Sequence, residues 1–399
     1  MINVSAGNFW TLTNTLRGLD EPWEAYCERV RPLLEQALVR LARRSAVWIT
    51  ESMEWVNQIP GWSSLTPARL KALNPSIKVY REYALCARGD WDREDRRQFP
   101  ITLTDIERYN WWLRDANGER IGEPRGDIWF VDIGMDGVSQ AFMEGINRRA
   151  DIADFDGIFF DYAWPWASGI ARFCGAAQPL PRYPADSLWY ERAWQPFFSF
   201  VTGQFRQPGF EILVNEAGPV NTTDPWQLWQ RELIDGTLYE RFCFDFGETA
   251  GWLPPEVIAM HIEAVRTDPL ITWVGESGIR ATQSDALKRI QASLAAYHIA
   301  LPDDLADEAR RSWSACYDSA AWWLPVLDFN IGAPVESARK HKSRWAWIRE
   351  FTEGAAVFNA DPTYGATFSL PGRYVRPDGK RLTQSVSVPP RSGVLLQQL

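Results

Sequence analysis

The chain has 399 residues, of which 46% are hydrophobic and 23% are charged, and this composition excludes disorder as its main state. Its 42 basic and 51 acidic residues give a net charge of −9, which argues against nucleic acid or an anionic membrane as a partner. It contains no apolar run of about 18 residues, so no segment is expected to cross a membrane.

The first ten residues, MINVSAGNFW, lack a basic stretch followed by an apolar one, so we expect no signal peptide in this chain. The sequence predicts a cytoplasmic protein if this start is the natural one, and a secreted protein if a leader has been removed. It leaves the oligomeric state open.

Short apolar runs alternate with amphipathic stretches, a pattern typical of repeated β–α units around a parallel sheet. The predicted strands are 1–10, 46–50, 77–83, 127–134, 155–166, 210–218, 236–242 and 270–277, with a last one within 313–330. The predicted helices are 22–41, 65–75, 141–149, 190–205, 226–233, 254–266 and 284–299. Residues 111–121 predict a hairpin that turns at Asn117–Gly118.

The pattern changes near Phe351, where short alternating runs are separated by Asp-Pro, Pro-Gly and Pro-Asp-Gly. We therefore expect an α/β protein, with a (β/α)₈ TIM barrel at residues 1–345 and a small antiparallel, sandwich-like β domain at 346–399. The appendage is expected to pack its apolar residues against the barrel; these include Val357, Phe358, Phe368, Val394 and Leu396.

Four carboxylates directly follow apolar strand segments; they are Asp161, Glu216, Glu240 and Glu276. Functional side chains of a (β/α)₈ barrel project from these strand ends, and a carboxylate there is costly unless it is paired or functional. Cleavage of a glycosidic bond needs two carboxyl groups, one to protonate the leaving oxygen and one to attack or to activate water. Any one of the four could equally cap a helix or pair with an arginine.

Aromatic residues are abundant, with 22 Trp, 20 Phe and 12 Tyr. A Trp ring suits the C–H face of a sugar as well as a protein core, and aromatic residues follow Asp161 closely. The residues expected to contact a substrate are Asp132, Asn215, Glu276, Trp164, Trp166, Trp273, Trp10 and Trp55. Further candidates at the rim, for which a structural role is equally expected, are Arg81, Glu82 and Tyr83.

Other kinds of chemistry lack their motifs. The chain has no Gly-x-Ser-x-Gly elbow, no phosphate-binding Gly-rich loop and no Cys-x-x-Cys or His-Glu-x-x-His pair. We therefore expect no cofactor and no zinc site, while a metal site of Asp and Glu alone stays open.

Several segments in order resemble the hypothetical glycosyl hydrolase family fifteen; they read LNPSIKVYREY, WWLRDANGERI, WFVDIG, FDGIFFDYAWP, ILVNEAG and DGTLYERF, and the β tail adds to them. The resemblance implies a (β/α)₈ barrel with a β appendage and action on glycosidic bonds. It also implies that Asp161 and Glu240 are the catalytic pair. The family often has Asn followed by a small residue where this chain has Asn215–Glu216, so Glu216 remains a rival for the acid role.

The resulting prediction is a glycoside hydrolase that cleaves O-glycosidic bonds of a poly- or oligosaccharide. Asp161 would be the nucleophile or base and Glu240 the general acid, with Glu216 as the alternative. Two other functions stay open, a transglycosylase that uses the same carboxylates and a carbohydrate-binding barrel without catalysis. The glycan, its linkage and the stereochemistry are not predicted.

Overall fold

A computed structural model describes residues 5–6, 22–42, 46–49, 66–88, 100–122, 128–148, 152–205, 208–216, 232–245, 251–268, 270–275, 285–304, 311–314 and 329–399. Up to residue 314 its strands are β1 Ser5–Ala6, β2 Ala46–Ile49, β3 Lys78–Ala84, β4 Cys86–Arg88, β5 Ile128–Phe130, β6 Gly157–Asp161, β7 Glu211–Glu216, β8 Gly236–Tyr239, β9 Ile271–Gly275 and β10 Arg311–Ser314.

Eight of these strands form one parallel sheet in the order β1-β2-β3-β6-β7-β8-β9-β10. The order follows the chain, which is what repeated β–α units produce. The remaining two, β4 and β5, form a small antiparallel sheet that begins two residues after β3. The predicted α/β class with a parallel sheet is confirmed, and closure of that sheet into a barrel stays a prediction.

The described helices are α1 Trp23–Leu41, α2 Pro67–Leu73, α3 Leu103–Tyr109, α4 Val138–Asn147, α5 Ala167–Phe173, α6 Asp186–Trp189, α7 Gln195–Gln204, α8 Pro255–Thr267 and α9 Ala286–Ala300. A π-helical turn, Tyr190–Trp194, joins α6 to α7. Helix α2 begins where Thr66 Oγ1 accepts a hydrogen bond from the Arg69 N–H at 3.3 Å. The predicted helix at 226–233 lies largely outside the described residues. None of the described helices is long and apolar enough to cross a bilayer.

One face of the parallel sheet carries a compact apolar layer with one member from each of six neighbouring strands: Ala46, Tyr80, Phe159, Leu213, Leu238 and Trp273. Trp273 is only 2% exposed, and its ring packs edge-on against Tyr80 at a centroid distance of 5.0 Å. The prediction that Trp273 offers a platform to sugar is therefore wrong, because its ring is enclosed within this layer.

The opposite face of the sheet packs against helices. Phe160 of β6 contacts Phe142 of α4 and Phe197 of α7, at ring-centroid distances of 5.8 and 6.4 Å. Since successive side chains of a strand point to opposite faces, Phe159 and Phe160 lie in different apolar clusters. A strand that is apolar on both faces is typical of a parallel sheet covered by helices.

The C-terminal part of the chain forms a six-stranded sheet whose paired strands are antiparallel. Its strands are β11 Arg339–Lys340, β12 Ala346–Phe351, β13 Gly354–Asn359, β14 Ala366–Val375, β15 Arg381–Val388 and β16 Ser392–Gln398, in the order β11-β12-β13-β16-β14-β15. The predicted antiparallel strands are confirmed, and their sandwich-like arrangement stays a prediction. Its first strand precedes the predicted boundary at residue 346.

This sheet packs closely against α9. A Cβ atom on Gly393 of β16 would lie 2.7 Å from Ala295 Cβ, so glycine permits the contact. Phe358 of β13 lies in the cluster shared with α9, as predicted. Four other residues expected there lie in or against a second cluster, on the other face of the sheet; they are Val357, Phe368, Val394 and Leu396. For those four residues the predicted packing is wrong.

A row of aromatic rings connects the segment after β8 to the C-terminal sheet, and we call it the aromatic row. Phe244 contacts Trp252 at a centroid distance of 4.5 Å, and Trp252 stacks on Phe358 at 6.3 Å. Phe358 stacks in turn on Trp347 at 6.0 Å, and Trp347 lies 6.5 Å from Trp345. The segment after β8 thus rests on the appendage.

Candidate active site

Three polar side chains continue the apolar layer toward the carboxyl ends of the strands. Asp161, Asn215 and Glu240 each follow a member of that layer by two residues, on β6, β7 and at the end of β8. Because strand side chains repeat every two residues, all three point to the same face as that layer. The carboxyl ends of neighbouring parallel strands meet at one edge, so the three side chains converge.

Asn215 joins the two carboxylates directly. Its Nδ2 atom donates to Asp161 Oδ1 at 2.8 Å and to Glu240 Oε2 at 3.0 Å. The two oxygens therefore lie no further apart than the sum of these distances. An amide nitrogen carries two hydrogens in one plane, which gives an oxygen separation of about 5 Å when each oxygen takes one of them. The sequence-predicted pair, Asp161 and Glu240, shares one site.

A backbone N–H group of the next residue also holds the Asp161 carboxylate. The N–H of Tyr162 donates to Asp161 Oδ1 at 2.9 Å. Tyr162 itself has a φ of +56°, a left-handed conformation that costs a non-glycine residue about 1–3 kcal/mol. The N–H of Leu85 donates to the Asp161 carbonyl oxygen at 3.0 Å, which fixes the same strand end. Two N–H donors on Oδ1 stabilise the ionised carboxylate.

Glu240 stands at the start of the segment that leads into the aromatic row. It is half-buried, and Asn215 is a donor to its carboxylate. The neighbouring cation, Arg241, forms an ion pair with Asp245 at 3.0 Å. A negative charge on Glu240 lies close to that on Asp161, and two unit charges about 5 Å apart repel by about 3 kcal/mol at an effective dielectric constant of about 20.

Glu82 is a further carboxylate on the face of the sheet that carries the apolar layer. The sequence predicted it only as one of three candidates at the rim. It follows Tyr80 of the apolar layer by two residues and is buried. Arg81, between them, points to the opposite face and lies 5.9 Å from the Phe155 ring. Side chains of β3 alternate between the two faces of the sheet. This alternation is the sequence signal that places Glu82 on the face of Tyr80 and Arg81 on the opposite face.

Asp132 is buried beyond β5 and ties two segments together. Tyr183 donates its hydroxyl hydrogen to Asp132 Oδ1 at 2.5 Å, and the Gly134 N–H donates to the same oxygen at 3.1 Å. Arg182 lies 3.6 Å from Oδ2. Burial raises the pKa of Asp132, against the hydrogen bonds and the Arg182 charge that lower it. These contacts give Asp132 a structural role, and its role in sugar binding stays a prediction.

The aromatic residues after Asp161 pack into the protein near their own strand end. Trp164 is 8% exposed and stacks on Phe130 of β5 at a centroid distance of 6.2 Å. Trp166 is half-buried, and its ring packs on Gly169, where any Cβ would clash with it. The remaining predicted site residues lie outside the described part of the chain; they are Trp10, Trp55, Glu276 and the side chain of Glu216. Within the described part, no three His, Cys, Asp or Glu residues are grouped as metal ligands.

The model of hypothetical glycosyl hydrolase family 15 matches residues 71–355, which is more than two thirds of the chain. This range contains the three converging residues, Asp161, Asn215 and Glu240. No curated protein matches the chain.

Solved structures similar to the chain include sugar-processing enzymes. The α-amylase of Geobacillus thermoleovorans, in complex with acarbose, is 11% identical with a TM-score of 0.43, over 100% of this chain and 98% of that chain. The maltogenic α-amylase AmyB of Thermotoga neapolitana is 10% identical with a TM-score of 0.44, over 100% and 99%. The GH36 α-galactosidase AgaA of Geobacillus stearothermophilus is 11% identical with a TM-score of 0.46, over 100% and 55%. TM-scores below 0.5 do not establish a shared fold.

Proposed function

The chain belongs to hypothetical glycosyl hydrolase family 15, and on that premise we propose that it hydrolyses O-glycosidic bonds of an oligo- or polysaccharide, with Asp161 and Glu240 as the catalytic pair. The observation that carries the proposal is the single Asn215 nitrogen that donates to both carboxylates. A barrel that only binds carbohydrate has no need of two carboxyl groups held within reach of one bond, so this geometry favours catalysis.

The separation of the two carboxylates favours a retaining mechanism. Retaining glycosidases hold their carboxyl groups about 5–5.5 Å apart, whereas inverting enzymes need about 6.5–9.5 Å to admit a water molecule. The oxygens bridged by Asn215 fit the shorter spacing.

The hydrogen bonds support different roles for the two carboxylates. Asp161 Oδ1 accepts N–H hydrogens from Asn215 and Tyr162, which favours its ionised form and makes it the nucleophile. Repulsion from that charge favours a proton on Glu240, which serves as the general acid. Asp161 attacks the anomeric carbon while the bond to the leaving oxygen breaks and that oxygen takes the Glu240 proton. Glu240 then removes a proton from water, which attacks the same carbon and releases Asp161.

We further propose that the parallel sheet closes into a (β/α)₈ barrel. The edge strands β1 and β10 approach each other within 8 Å between Cα atoms, which supports closure. In a closed barrel the edge that holds Asp161, Asn215 and Glu240 becomes the C-terminal face, where such barrels hold their active sites.

The proposal is tested with Asp161→Asn and Glu240→Gln against a panel of aryl glycosides and polysaccharides. Both variants are expected to keep the wild-type melting temperature and to lose at least about 10³-fold in kcat, because each lacks one essential carboxyl group. Glu256→Gln, which changes an exposed carboxylate on α8, is the matched control and should retain full activity. Full activity of Asp161→Asn would refute its role as nucleophile.

Azide rescue tests the assigned roles on an aryl glycoside with a good leaving group. In Glu240→Ala, azide should displace Asp161 from the covalent intermediate and give a glycosyl azide of retained configuration. In Asp161→Gly, azide should attack the substrate itself and give the inverted product. The opposite pattern would exchange the two roles, and an inverted sugar from the wild-type enzyme would exclude the retaining mechanism.

A further inference from the structure

The turn that joins β11 to β12 lines a cavity of about 440 Å³ that is open to solvent, and we call residues 340–345 the basic turn. Four of its six residues carry or can carry a positive charge; they are Lys340, His341, Lys342 and Arg344. The whole chain has a net charge of −9, so this cluster opposes the overall charge.

Aromatic rings, and not carboxylates, hold two of these cations. The Lys340 ammonium lies 4.0 Å from the Trp345 ring centroid, and the Arg344 guanidinium lies 4.2 Å from that of Tyr364. By contrast, the preceding Arg339 is paired with Glu336 at 3.0 Å and with Glu350 at 2.7 Å. A cation on a ring face keeps N–H groups that can still donate to an anion.

Among the described residues, no carboxylate oxygen lies within 4.0 Å of a charged nitrogen of Lys340, Lys342 or Arg344. Asp361 is nevertheless close enough to feel the charge of Arg344. Burial would raise the pKa of Asp361, but N–H groups of Tyr364 and Thr363 together with that charge lower it. Asp361 Oδ1 accepts both N–H groups at 2.9 Å, so backbone donors already engage this carboxylate.

We propose that the basic turn is a second binding site, distinct from Asp161 and Glu240, for an anionic saccharide that carries carboxylate or sulfate groups. Lys340, Lys342 and Arg344 would bind the anionic groups, and the half-buried Trp345 would contact the sugar ring beside them. The saccharide part rests on the proposed function, whereas the preference for an anion rests on the basic turn alone.

The position of the basic turn supplies a matched control on the same sheet. Strand β12 runs from the basic turn at Ala346 to the opposite end at Phe351. Lys380 lies in the turn between β14 and β15. The pairing of β12 with β13, of β13 with β16 and of β16 with β14 places this turn at the Phe351 end of the sheet. Lys380 is exposed, so its reversal changes the net charge equally without touching the cavity.

The experiment measures binding of the full-length protein to polygalacturonate, dextran sulfate, neutral dextran and inorganic sulfate by isothermal titration calorimetry. The wild type should bind at least one anionic glycan about tenfold or more tightly than dextran or inorganic sulfate. Lys342→Glu and Arg344→Glu should each weaken that binding by about tenfold, because each loses about one charge-assisted hydrogen bond. Lys380→Glu should bind the glycan as tightly as the wild type. Comparison of the two anionic glycans identifies carboxylate or sulfate as the bound group.

Equal binding of dextran, or an equal loss in Lys380→Glu, would overturn the proposal. Tighter binding of poly-glutamate or of single-stranded DNA than of either glycan would overturn its saccharide part. Melting temperatures verify that each variant is folded, and Lys342→Gln and Arg344→Gln replace any variant that is not. The same titrations with Asp161→Asn separate the two proposals. This variant is expected to bind the anionic glycan as tightly as the wild type but not to hydrolyse glycosides. Loss of binding in the charge variants with hydrolysis of neutral glycans intact would support a separate site.

Discussion

Replacement of Asn215 by leucine would remove a hydrogen-bond donor that both carboxylates share, at nearly constant side-chain volume. The Nδ2 contacts of 2.8 and 3.0 Å would be lost, and an apolar group would face Asp161 and Glu240. A hydrogen bond to a charged group contributes about 1.5–3 kcal/mol. Loss of that amount from the transition state lowers kcat/KM by about 10- to 100-fold.

The same substitution should change the dependence of activity on pH. Without the Asn215 N–H, the ionised form of Asp161 loses a hydrogen-bond donor, so this carboxylate takes up a proton more readily. The acidic limb of the kcat/KM profile should therefore move to higher pH.

The assay is kcat/KM against pH for the wild type and Asn215→Leu, with the melting temperature measured for each. Thr237→Val is the matched control, because Thr237 is equally buried on the neighbouring strand and alternates with Leu238 onto the opposite face. It should leave both the rate and the profile unchanged. Wild-type kcat/KM with an unmoved acidic limb in Asn215→Leu would refute the bridging role of Asn215.

Two further predictions concern stability. Burial lowers the pKa of His261 and of His298 from 6.5 to about 4, so both stay neutral in the fold and stability is lost as pH falls below about 6.5. Each histidine should lower the free energy of unfolding by about 2 kcal/mol between pH 7.5 and pH 5. Urea unfolding at these two pH values should therefore show a smaller loss of stability for His298→Leu than for the wild type. An equal loss in both proteins would count against the argument. Gly393→Ala should destabilise the protein by about 1–3 kcal/mol because its methyl group would meet Ala295 Cβ at 2.7 Å. Gly203→Ala, with no atom within 4 Å of its new methyl group, should not; equal melting temperatures for the two variants would contradict the packing of the appendage.

The strand ends that hold the candidate pair could be predicted because local patterns determine them. The apolar runs before Asp161 and Glu240 mark buried strands, and the first charged residue after each run marks its end. Parallel strands bring such ends to one edge, so the pair could be expected to meet. The Asn215 bridge could not be predicted, because it depends on the relative register of β6, β7 and β8.

The errors have a related physical origin. Alternation predicts that Trp273 lies on one face of its strand, but not whether it stands at the open edge or within the layer below. The structure places it in the apolar layer with Leu213, where its ring is enclosed. In the appendage, alternation separates Val357 from Phe358 but does not say which of the two faces meets α9.

The aromatic row sets limits on how this protein could be divided or recombined. Trp252 belongs to the part of the chain that carries Glu240, whereas Phe358 and Trp347 belong to the appendage, and their rings form one continuous stack. A chimera that joined residues 1–338 to the appendage of another protein would keep Phe244 beside Trp252 but would remove Phe358 from its other side. We therefore expect the two parts to be inherited and engineered as one unit, with substitutions at Trp252 matched by substitutions at Phe358.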